Sequence, residues 1–454
     1  MDRITEKLAG YATALRYEQL TPNALRATQR LVLDTLGCAV GGFKSEPATI
    51  ARRLAARASG KPPARVLGTG ELTSIEAATF ANCVMARYLD FNDTFMSQEV
   101  AHPSDMIPAI LAVADAHHAG GKEVLLAIAT AYEVFAVFAD ACSLWDKGWD
   151  HGLYIGFGVA AGAGQLLGLT REQTGNAIAL VGAATVPTRQ TRSGALTMWK
   201  GCAAPAAARM AVYAAELAQE GMRGPSAIFE GRHGICDQVT GPLELGAFGG
   251  NGVAFAVERS GIKFFPTEYH SQVPLGLILK LREKVKVEDI DAVHVETYHF
   301  TYTEIGSEPE KWRPTTRETA DHSLPYMLAA ALMDGGISVA TFNEERIRDP
   351  QLPPLMDRIR ISENEEFTLK SPASMECRIE ITAKDGKRYV EAGSYPKGHA
   401  KNPLSDAEVE QKFRALCRGM LPEERCESIL QAVWALDAMR DIGELIERVR
   451  IEGK

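Results

Sequence analysis

Cysteine is sparse in this sequence and is never clustered. The eight cysteines of the 454-residue chain stand at positions 38, 83, 142, 202, 236, 377, 417 and 426, with no CxxC pair. Zinc ribbons and iron–sulfur clusters need closely spaced thiolates, and disulfide scaffolds need far more cysteine. We therefore predict free thiols in a reducing cytoplasm and no metal site.

Positive charge is also in deficit. Lys and Arg total 49 against 58 Asp and Glu, a formal net charge of −9. Without a strong positive field, neither nucleic acid nor an anionic membrane is expected as a partner. The first residues, MDRITEKLAGYATAL, are charged and amphipathic, so we predict no signal peptide. We read no apolar run near the roughly 20 residues that span a bilayer, and predict no membrane segment.

Several catalytic motifs are missing. The sequence contains no HExxH and no GxSxG, which argues against metal-dependent or serine hydrolysis. The glycines of DHGLYIGFGVAAGAGQLLG (150–168) follow no strand and lack GxGxxG spacing, so close helix packing explains them better than a nucleotide loop. His151 opens this apolar helical segment.

The patterns that are present predict a mainly α protein. Residues 1–261 have helical periodicity almost throughout, with the capping signals Thr73 to Glu76 and Thr170 to Gln173. Residues 262–402 mix strand and helix patterns, with a strand at 291–302, helices near 271–285 and 323–335, and a hairpin at Asp385-Gly386. We predict a large multihelical domain, completed by helices in 403–454, and a smaller α+β domain.

Three histidines occupy similar positions. His102, His270 and His322 each stand shortly before a Ser and a Pro that begin a predicted helix. A helix N-terminus attracts carboxylates and disfavours an imidazolium, so a histidine there can stay neutral and accept a proton. A single such histidine is more often a cap or a packed side chain. The recurrence favours a site for a negatively charged ligand.

Basic residues supply a second signal. Lys200 is predicted in the first turn of a helix beginning near Thr197, where its charge opposes the helix dipole unless an anion is near. A misplaced helix start or a lysine reaching solvent is the alternative explanation. Arg192 lies in the preceding basic loop. Lys263 stands in an apolar setting, where it needs an acidic partner or an anionic ligand.

Six segments together resemble a known family. They are LDTLGCAVGG (33–42), LDFNDT with HPSD (89–105), LGLTREQ, TMWKGCAA, FPTEYHSQ and ADHSLPYMLAAALMDG. The chain is similar to the MmgE/PrpD family, which includes 2-methylcitrate dehydratases and, more distantly, cis-aconitate decarboxylases. FPTEYHSQ and LDFNDT look most like the dehydratase branch.

The resemblance implies an architecture and a site. It implies a homodimer of chains with a helical and an α+β domain, and cofactor-independent chemistry at the domain interface. It places catalytic residues at Asp90, His102, His151 and Tyr326. The threonine and the two lysines of the family fall on Thr94, Lys200 and Lys263. We expect these residues, together with Arg192, His270 and His322 from the patterns above, to bind a di- or tricarboxylate.

Dehydration of a citrate-like tricarboxylate is the main functional prediction. A base would take the proton next to a carboxylate, an acid would protonate the departing hydroxide, and cations would stabilise the added charge. Epimerisation or decarboxylation of a related acid is the alternative. The decarboxylase branch has a histidine where this chain has Glu268, which disfavours decarboxylation, whereas the loop before Lys200 departs from the dehydratase branch. A non-catalytic scaffold is the remote possibility.

Overall fold

The computed structural model describes residues 1–452, and they form two compact units. Unit 1 comprises Met1–Thr191, Gly201–Ser260 and the chain from Ser405 onward, and unit 2 comprises Arg192–Lys200 and Gly261–Leu404. Unit 1 is helical, and unit 2 contains a four-stranded sheet. The predicted fold class, mainly α with a smaller α+β part, is confirmed. The boundaries 1–261, 262–402 and 403–454 stay our proposal for the domains.

Helices make up most of the regular structure. The α-helices of the described residues are α1 (Arg3–Ala14), α2 (Pro22–Gly42), α3 (Glu46–Ala55), α4 (Ile75–Arg87), α5 (Ile107–Ala116), α6 (Gly121–Ala141), α7 (Gly152–Leu166), α8 (Arg171–Ala184), α9 (Ala203–Gln219), α10 (Ala256–Arg259), α11 (Gln272–Arg282), α12 (His299–Thr301), α13 (Arg317–Ala320), α14 (Leu324–Asp334), α15 (Glu344–Ile347), α16 (Leu352–Met356), α17 (Glu365–Lys370), α18 (Asp406–Cys417), α19 (Glu423–Trp434) and α20 (Gly443–Arg448). In unit 1, α7 packs against α6, α8 and α9, and α18 packs against α2.

The strands are short except in unit 2. They are β1 (Ala64–Arg65), β2 (Leu72–Thr73), β3 (Asp93–Thr94), β4 (Gly261–Ile262), β5 (Ile290–Thr297), β6 (Ile359–Glu363), β7 (Cys377–Ala383) and β8 (Arg388–Gly393). The sheet of unit 2 has the order β6-β5-β7-β8, with β5 and β6 parallel and the other pairs antiparallel. Alternate residues of β7 are buried, and α11 packs against β7 and β8. The sheet therefore has one face covered by helix.

The glycines of α7 allow close helix packing. A Cβ atom on Gly158 would lie 2.3 Å from the sulfur of Met106 and 2.7 Å from the main-chain oxygen of Ala131. A Cβ atom on Gly162 would lie 2.7 Å from the main-chain oxygen of Ala127. No side chain fits at these distances, so α6 and α7 approach closely because α7 carries glycine there. The packing interpretation of this glycine-rich segment is confirmed.

Helix α6 corrects one expectation. It has 21 residues and is long and apolar enough, by length and composition, to cross a membrane, although the sequence analysis found no such run. Within its most apolar 18-residue window, 83% of the residues are buried inside the protein. A helix in lipid would instead present that surface outward. Burial of this kind is typical of a core helix.

Some predicted boundaries need correction. The hairpin at Asp385-Gly386 is confirmed, because β7 and β8 flank it and Gly386 has the positive φ of 85° that such turns require. The strand predicted over 291–302 ends at Thr297, where the chain turns into helical structure. Thr170 and Gln173 form the predicted capping box. Thr73 does not cap α4, because Ser74 does.

Candidate active site

The candidate residues divide between the two units. Unit 1 contains Asp90, Thr94, His102 and His151, and unit 2 contains Arg192, Lys200, Lys263, His270, His322 and Tyr326. Most of these side chains are buried, although they carry charge or hydrogen-bonding groups. Burial of so many polar groups requires partners, and those partners define two clusters.

A strained turn positions Asp90 in unit 1. Helix α4 ends at Arg87, and Asp90 adopts φ +51°, a conformation that few residues other than glycine tolerate but that Asp adopts more readily. This conformation places Oδ1 of Asp90 2.6 Å from Nη1 of Arg87. Arg87 Nε also lies 3.5 Å from Oδ2 of Asp105. One buried guanidinium therefore lies against two buried carboxyl groups.

The imidazole of His102 is held through Nδ1. This atom lies 2.7 Å from the main-chain oxygen of Asp93 and 3.2 Å from the hydroxyl oxygen of Thr94. A carbonyl oxygen can only accept, so Nδ1 carries the proton and the neutral ring has its lone pair on Nε2. Nε2 lies 3.8 Å from Oδ1 of Asp90. Asp90 thus faces the nitrogen that can take up a proton.

Asp93 is a buried residue that the sequence analysis did not select. Its Oδ1 accepts the N–H of Ser104 at 2.9 Å, and its Oδ2 accepts the hydroxyl of Tyr132 at 2.8 Å. Burial raises the pKa of this carboxyl to about 7, although both hydrogen bonds act to lower the pKa. Asp93 therefore links the turn before α5 to α6.

His151 lies beside His102. It immediately precedes α7, as predicted, and its ring centroid lies 6.0 Å from that of His102 at an interplanar angle of 79°. Both rings are buried. Two imidazoles at this separation can act on the same or on neighbouring atoms of a bound molecule.

The helix starts differ from the anion sites that the sequence suggested. The amide of Ser104 donates to Asp93, the amide of His270 donates to Oε2 of Glu268 at 2.7 Å, and the amide of Tyr326 donates to Oγ of Ser323. These three N–H groups are satisfied by side chains of the chain itself. The histidines do precede helical turns, but these amides do not offer a carboxylate site.

A buried cation defines the second cluster, in unit 2. Nζ of Lys200 lies 2.9 Å from Oδ1 of Asp321 and 3.1 Å from Nδ1 of His322. Nδ1 of His322 also lies 2.7 Å from the same carboxylate oxygen. Lys200 belongs to a 3-10 turn over Met198–Gly201 rather than to a helix starting near Thr197, so its predicted conflict with a helix dipole does not arise. Its negative partner is Asp321.

His270 is fixed by aromatic and acidic neighbours. Its Nδ1 lies 2.5 Å from the hydroxyl oxygen of Tyr298, and its ring stacks on Phe300 at 6.1 Å. Nε2 lies 3.8 Å from Oε1 of Glu268. The main-chain N–H of Glu268 donates to the main-chain oxygen of Asp321 at 3.0 Å. The segments that carry His270 and Asp321 are therefore joined.

The remaining three candidates differ in their surroundings. The hydroxyl of Tyr326 donates to the main-chain oxygen of Thr341 at 2.6 Å, and burial raises the pKa of this phenol. Lys263 is almost fully buried, at 1% exposure. Arg192 is partly exposed, at the end of a 3-10 turn.

Sequence reasoning missed the acids that hold the selected residues. Asp93 and Asp321 each adjoin a selected residue, Thr94 and His322, so adjacency was a signal. Glu268 was noted only as a departure from a family pattern. Nothing in the sequence reports that a carboxylate will be buried, because burial depends on elements distant along the chain.

Comparison with protein-family models matches both halves of the chain. The MmgE/PrpD N-terminal domain matches residues 6–246, and the MmgE/PrpD C-terminal domain matches residues 265–437. Together the two matches cover most of the 454 residues. The resemblance inferred from the six sequence segments is confirmed.

Curated relatives align over nearly the whole chain. The mitochondrial 2-methylcitrate dehydratase of Yarrowia lipolytica is 28% identical, covering 98% of this chain and 90% of the relative. The 2-methylcitrate dehydratase of Salmonella typhimurium is 29% identical, covering 94% and 92%. The cis-aconitate decarboxylase of Homo sapiens is 27% identical, covering 97% and 93%. Removal of water and removal of CO₂ are both lyase reactions, so the prediction of a lyase is confirmed at that level.

Proposed function

The chain belongs to the MmgE/PrpD family, and we propose that it is a cofactor-independent hydro-lyase acting on a citrate-like tricarboxylate. The reaction would convert 2-methylcitrate, or citrate, into the corresponding cis-alkene and water. A C–H bond next to a carboxylate breaks, a C–OH bond on the neighbouring carbon breaks, and the electron pair of the C–H bond forms the alkene. The enzyme must supply a base, an acid and positive charge.

The observation that carries this proposal is the hydrogen bond from Nδ1 of His102 to the main-chain oxygen of Asp93. It leaves Nε2 as the basic nitrogen of the neutral ring, so His102 would take the proton from carbon. Asp90, 3.8 Å from Nε2, would stabilise the imidazolium that forms. Arg87 keeps Asp90 in place through their ion pair.

His151 is the acid that this proposal favours. Its ring lies beside that of His102, so the two can serve the two ends of one elimination. Tyr326 is the other candidate from the sequence. A phenol has one hydroxyl proton, and Tyr326 uses this proton in its hydrogen bond to the main-chain oxygen of Thr341. Protonation of the leaving hydroxide would need that bond to break.

Two buried lysines would supply the positive charge. Lys200 and Lys263 are buried lysines, and a buried cation acts on developing negative charge more strongly than one in water. Arg192, His270 and His322 would bind the remaining carboxylates, and Thr94 would also bind substrate. These assignments rest on the family resemblance and on the residues' chemistry.

Decarboxylation is the second candidate, because the human cis-aconitate decarboxylase covers as much of the chain as the dehydratases do. Glu268 weighs against it, since it stands where the decarboxylase branch has a histidine and its Oε2 caps the amide of His270. Epimerisation of a related acid would use the same carbanion-like intermediate. It would return the proton instead of expelling hydroxide.

A substrate panel separates these reactions. Purified protein is incubated with 2-methylcitrate, citrate, cis-aconitate and iminodisuccinate, and alkene absorbance, CO₂ release and stereochemistry are followed. Alkene formed from 2-methylcitrate or citrate without CO₂ supports the hydro-lyase. Release of CO₂ from cis-aconitate would instead indicate a decarboxylase. Inversion of a stereocentre without loss of water or CO₂ would indicate an epimerase. No turnover of any of the four acids would overturn the proposal.

The other properties remain proposals from the sequence. They are a homodimeric assembly, a cytoplasmic location, and independence of metals, nucleic acid and membranes. Sedimentation of the full chain would test the dimer.

A further inference from the structure

Asp93 accepts hydrogen bonds at all three of its oxygen atoms. Its main-chain oxygen accepts Nδ1–H of His102 at 2.7 Å. Its Oδ1 accepts the N–H of Ser104 at 2.9 Å, and its Oδ2 accepts the hydroxyl of Tyr132 at 2.8 Å. The same residue therefore holds the imidazole with its backbone and is itself held through its side chain.

The two side-chain donors belong to separate, well-anchored elements. Ser104 lies in the 3-10 turn over Pro103–Met106 that precedes α5, and Tyr132 lies in the middle of the buried helix α6. Asp93 itself lies in β3. Because both side-chain oxygens are held, Asp93 keeps a fixed position between these elements, and its main-chain oxygen lies 2.7 Å from Nδ1 of His102. The contact to Nδ1 is thus set by two elements of unit 1.

The hydroxyl of Thr94 completes this arrangement. Its Oγ1 donates to the main-chain oxygen of Asp93 at 2.9 Å, so that carbonyl oxygen accepts two hydrogen bonds. A carbonyl oxygen with both lone pairs used offers His102 no alternative geometry. Because the main-chain oxygen of Asp93 cannot donate a hydrogen bond, it is compatible only with the His102 tautomer that carries the proton on Nδ1.

We propose that Asp93 is a positioning residue that sets the tautomer of His102 through its own main-chain oxygen, with Tyr132 and Ser104 holding its carboxylate. The importance of this tautomer for turnover rests on the proposed function, in which Nε2 of His102 is the base. The tautomer itself is a property of the resting protein. It can be measured without substrate.

The decisive variant is Tyr132→Phe, which removes one donor and keeps the ring in the core. Asp93→Asn is the second variant, because its amide cannot accept both bonds. The full chain is labelled with ¹⁵N-histidine, and His102→Gln identifies the His102 signals in long-range ¹H–¹⁵N spectra. We expect the wild-type ring to carry its proton on Nδ1. In the variants the tautomer ratio should fall roughly 5- to 30-fold, the change that loss of one hydrogen bond produces.

Turnover provides a separate readout. If His102 is the base, kcat for the accepted substrate should fall in proportion to the fraction of His102 rings that carry the proton on Nδ1, while KM stays within about twofold, since the substrate contacts are unchanged. Tyr11→Phe is the matched control, because Tyr11 donates to the main-chain oxygen of Gly249 at 3.3 Å and has no bond to Asp93. It should leave both the His102 signals and kcat as in wild type.

The outcomes distinguish the two proposals. A folded Tyr132→Phe variant with an unchanged tautomer ratio overturns the role of Asp93, whatever the substrate. A shifted ratio supports that role, and a severalfold fall in the fraction protonated on Nδ1 with unchanged kcat removes His102 as the base. If Asp93→Asn does not fold, Tyr132→Phe alone decides, and circular dichroism verifies its fold.

Discussion

Nζ of Lys200 and Oδ1 of Asp321 lie 2.9 Å apart in unit 2, with side-chain exposures of 4% and 1%. The two residues are 121 positions apart in sequence. A buried pair of this kind contributes little net stability when intact, but removal of one partner leaves an uncompensated charge. The effect of Lys200 on stability can therefore be measured separately from its proposed effect on an anionic substrate.

Lys200→Met should destabilise the protein by about 3–5 kcal/mol, because Asp321 would remain buried without its cation. Thermal denaturation measures this loss of stability as a lower midpoint of unfolding. Lys284→Met is the matched control, since Lys284 pairs with Glu391 at the surface and such pairs contribute about 1 kcal/mol or less. Equal midpoints for the two variants would contradict the importance of the buried pair.

The double variant Lys200→Met with Asp321→Leu should recover much of that stability, because no lone charge remains. Turnover should stay low in both the single and the double variant if Lys200 stabilises negative charge on the substrate. Steady-state kinetics on the folded double variant measures this. Recovery of kcat together with stability would assign Lys200 a structural role only.

His102→Gln keeps a polar side chain of similar size but removes the basic nitrogen. We expect kcat to fall by about 10²- to 10⁴-fold, the range for loss of a general base. His233→Gln, at an exposed histidine of unit 1, should leave kcat unchanged. Turnover of the His102 variant within about threefold of wild type would exclude His102 from proton transfer.

Tyr326→Phe tests the alternative acid. Its hydroxyl donates to the main-chain oxygen of Thr341, so the variant should lose about 1 kcal/mol of stability and keep its turnover. Chemical denaturation and kcat are the two measurements. A loss of turnover of about 100-fold or more would assign the acid to Tyr326 instead of His151.

Glu99 should make stability depend on pH. It is buried in unit 1, accepts the N–H of Leu144 at 2.6 Å, and has a pKa raised by burial from 4.5 to about 7. Between pH 4.5 and about pH 7, Glu99 is therefore protonated in the folded state but ionised in the unfolded state. This group therefore lowers stability by about 1.4 kcal/mol per pH unit as pH rises through that window.

Glu99→Gln should remove this contribution. The free energy of unfolding, measured by denaturant titration from pH 5 to pH 6.5, should then fall less steeply with rising pH than in wild type. The difference between the two slopes corresponds to about one proton bound by the folded wild-type protein. Parallel pH dependence in the two proteins would contradict a raised pKa at Glu99.

Local features were predictable where the signal and its effect lie within a few residues. The capping box of Thr170 and Gln173 and the hairpin at Asp385-Gly386 are of this kind. Thr73 shows the limit, because Ser74 has an equally suitable hydroxyl and one residue shifts the cap. The predicted start near Thr197 failed similarly, since a 3-10 turn there precedes α9.

The sequence by itself determined the family, the fold class and the residue types available for chemistry, because these follow from periodicity and from segments read in order. Only the tertiary structure decided which carboxylates are buried and what they hold. Lys412 pairs with Asp34 at 2.6 Å and donates to the main-chain oxygen of Phe91, 321 positions away in sequence. The carboxylate of Asp93 likewise depends on the hydroxyl of Tyr132, 39 positions away in sequence. Burial and hydrogen bonding at such positions depend on elements that meet only when the chain has folded.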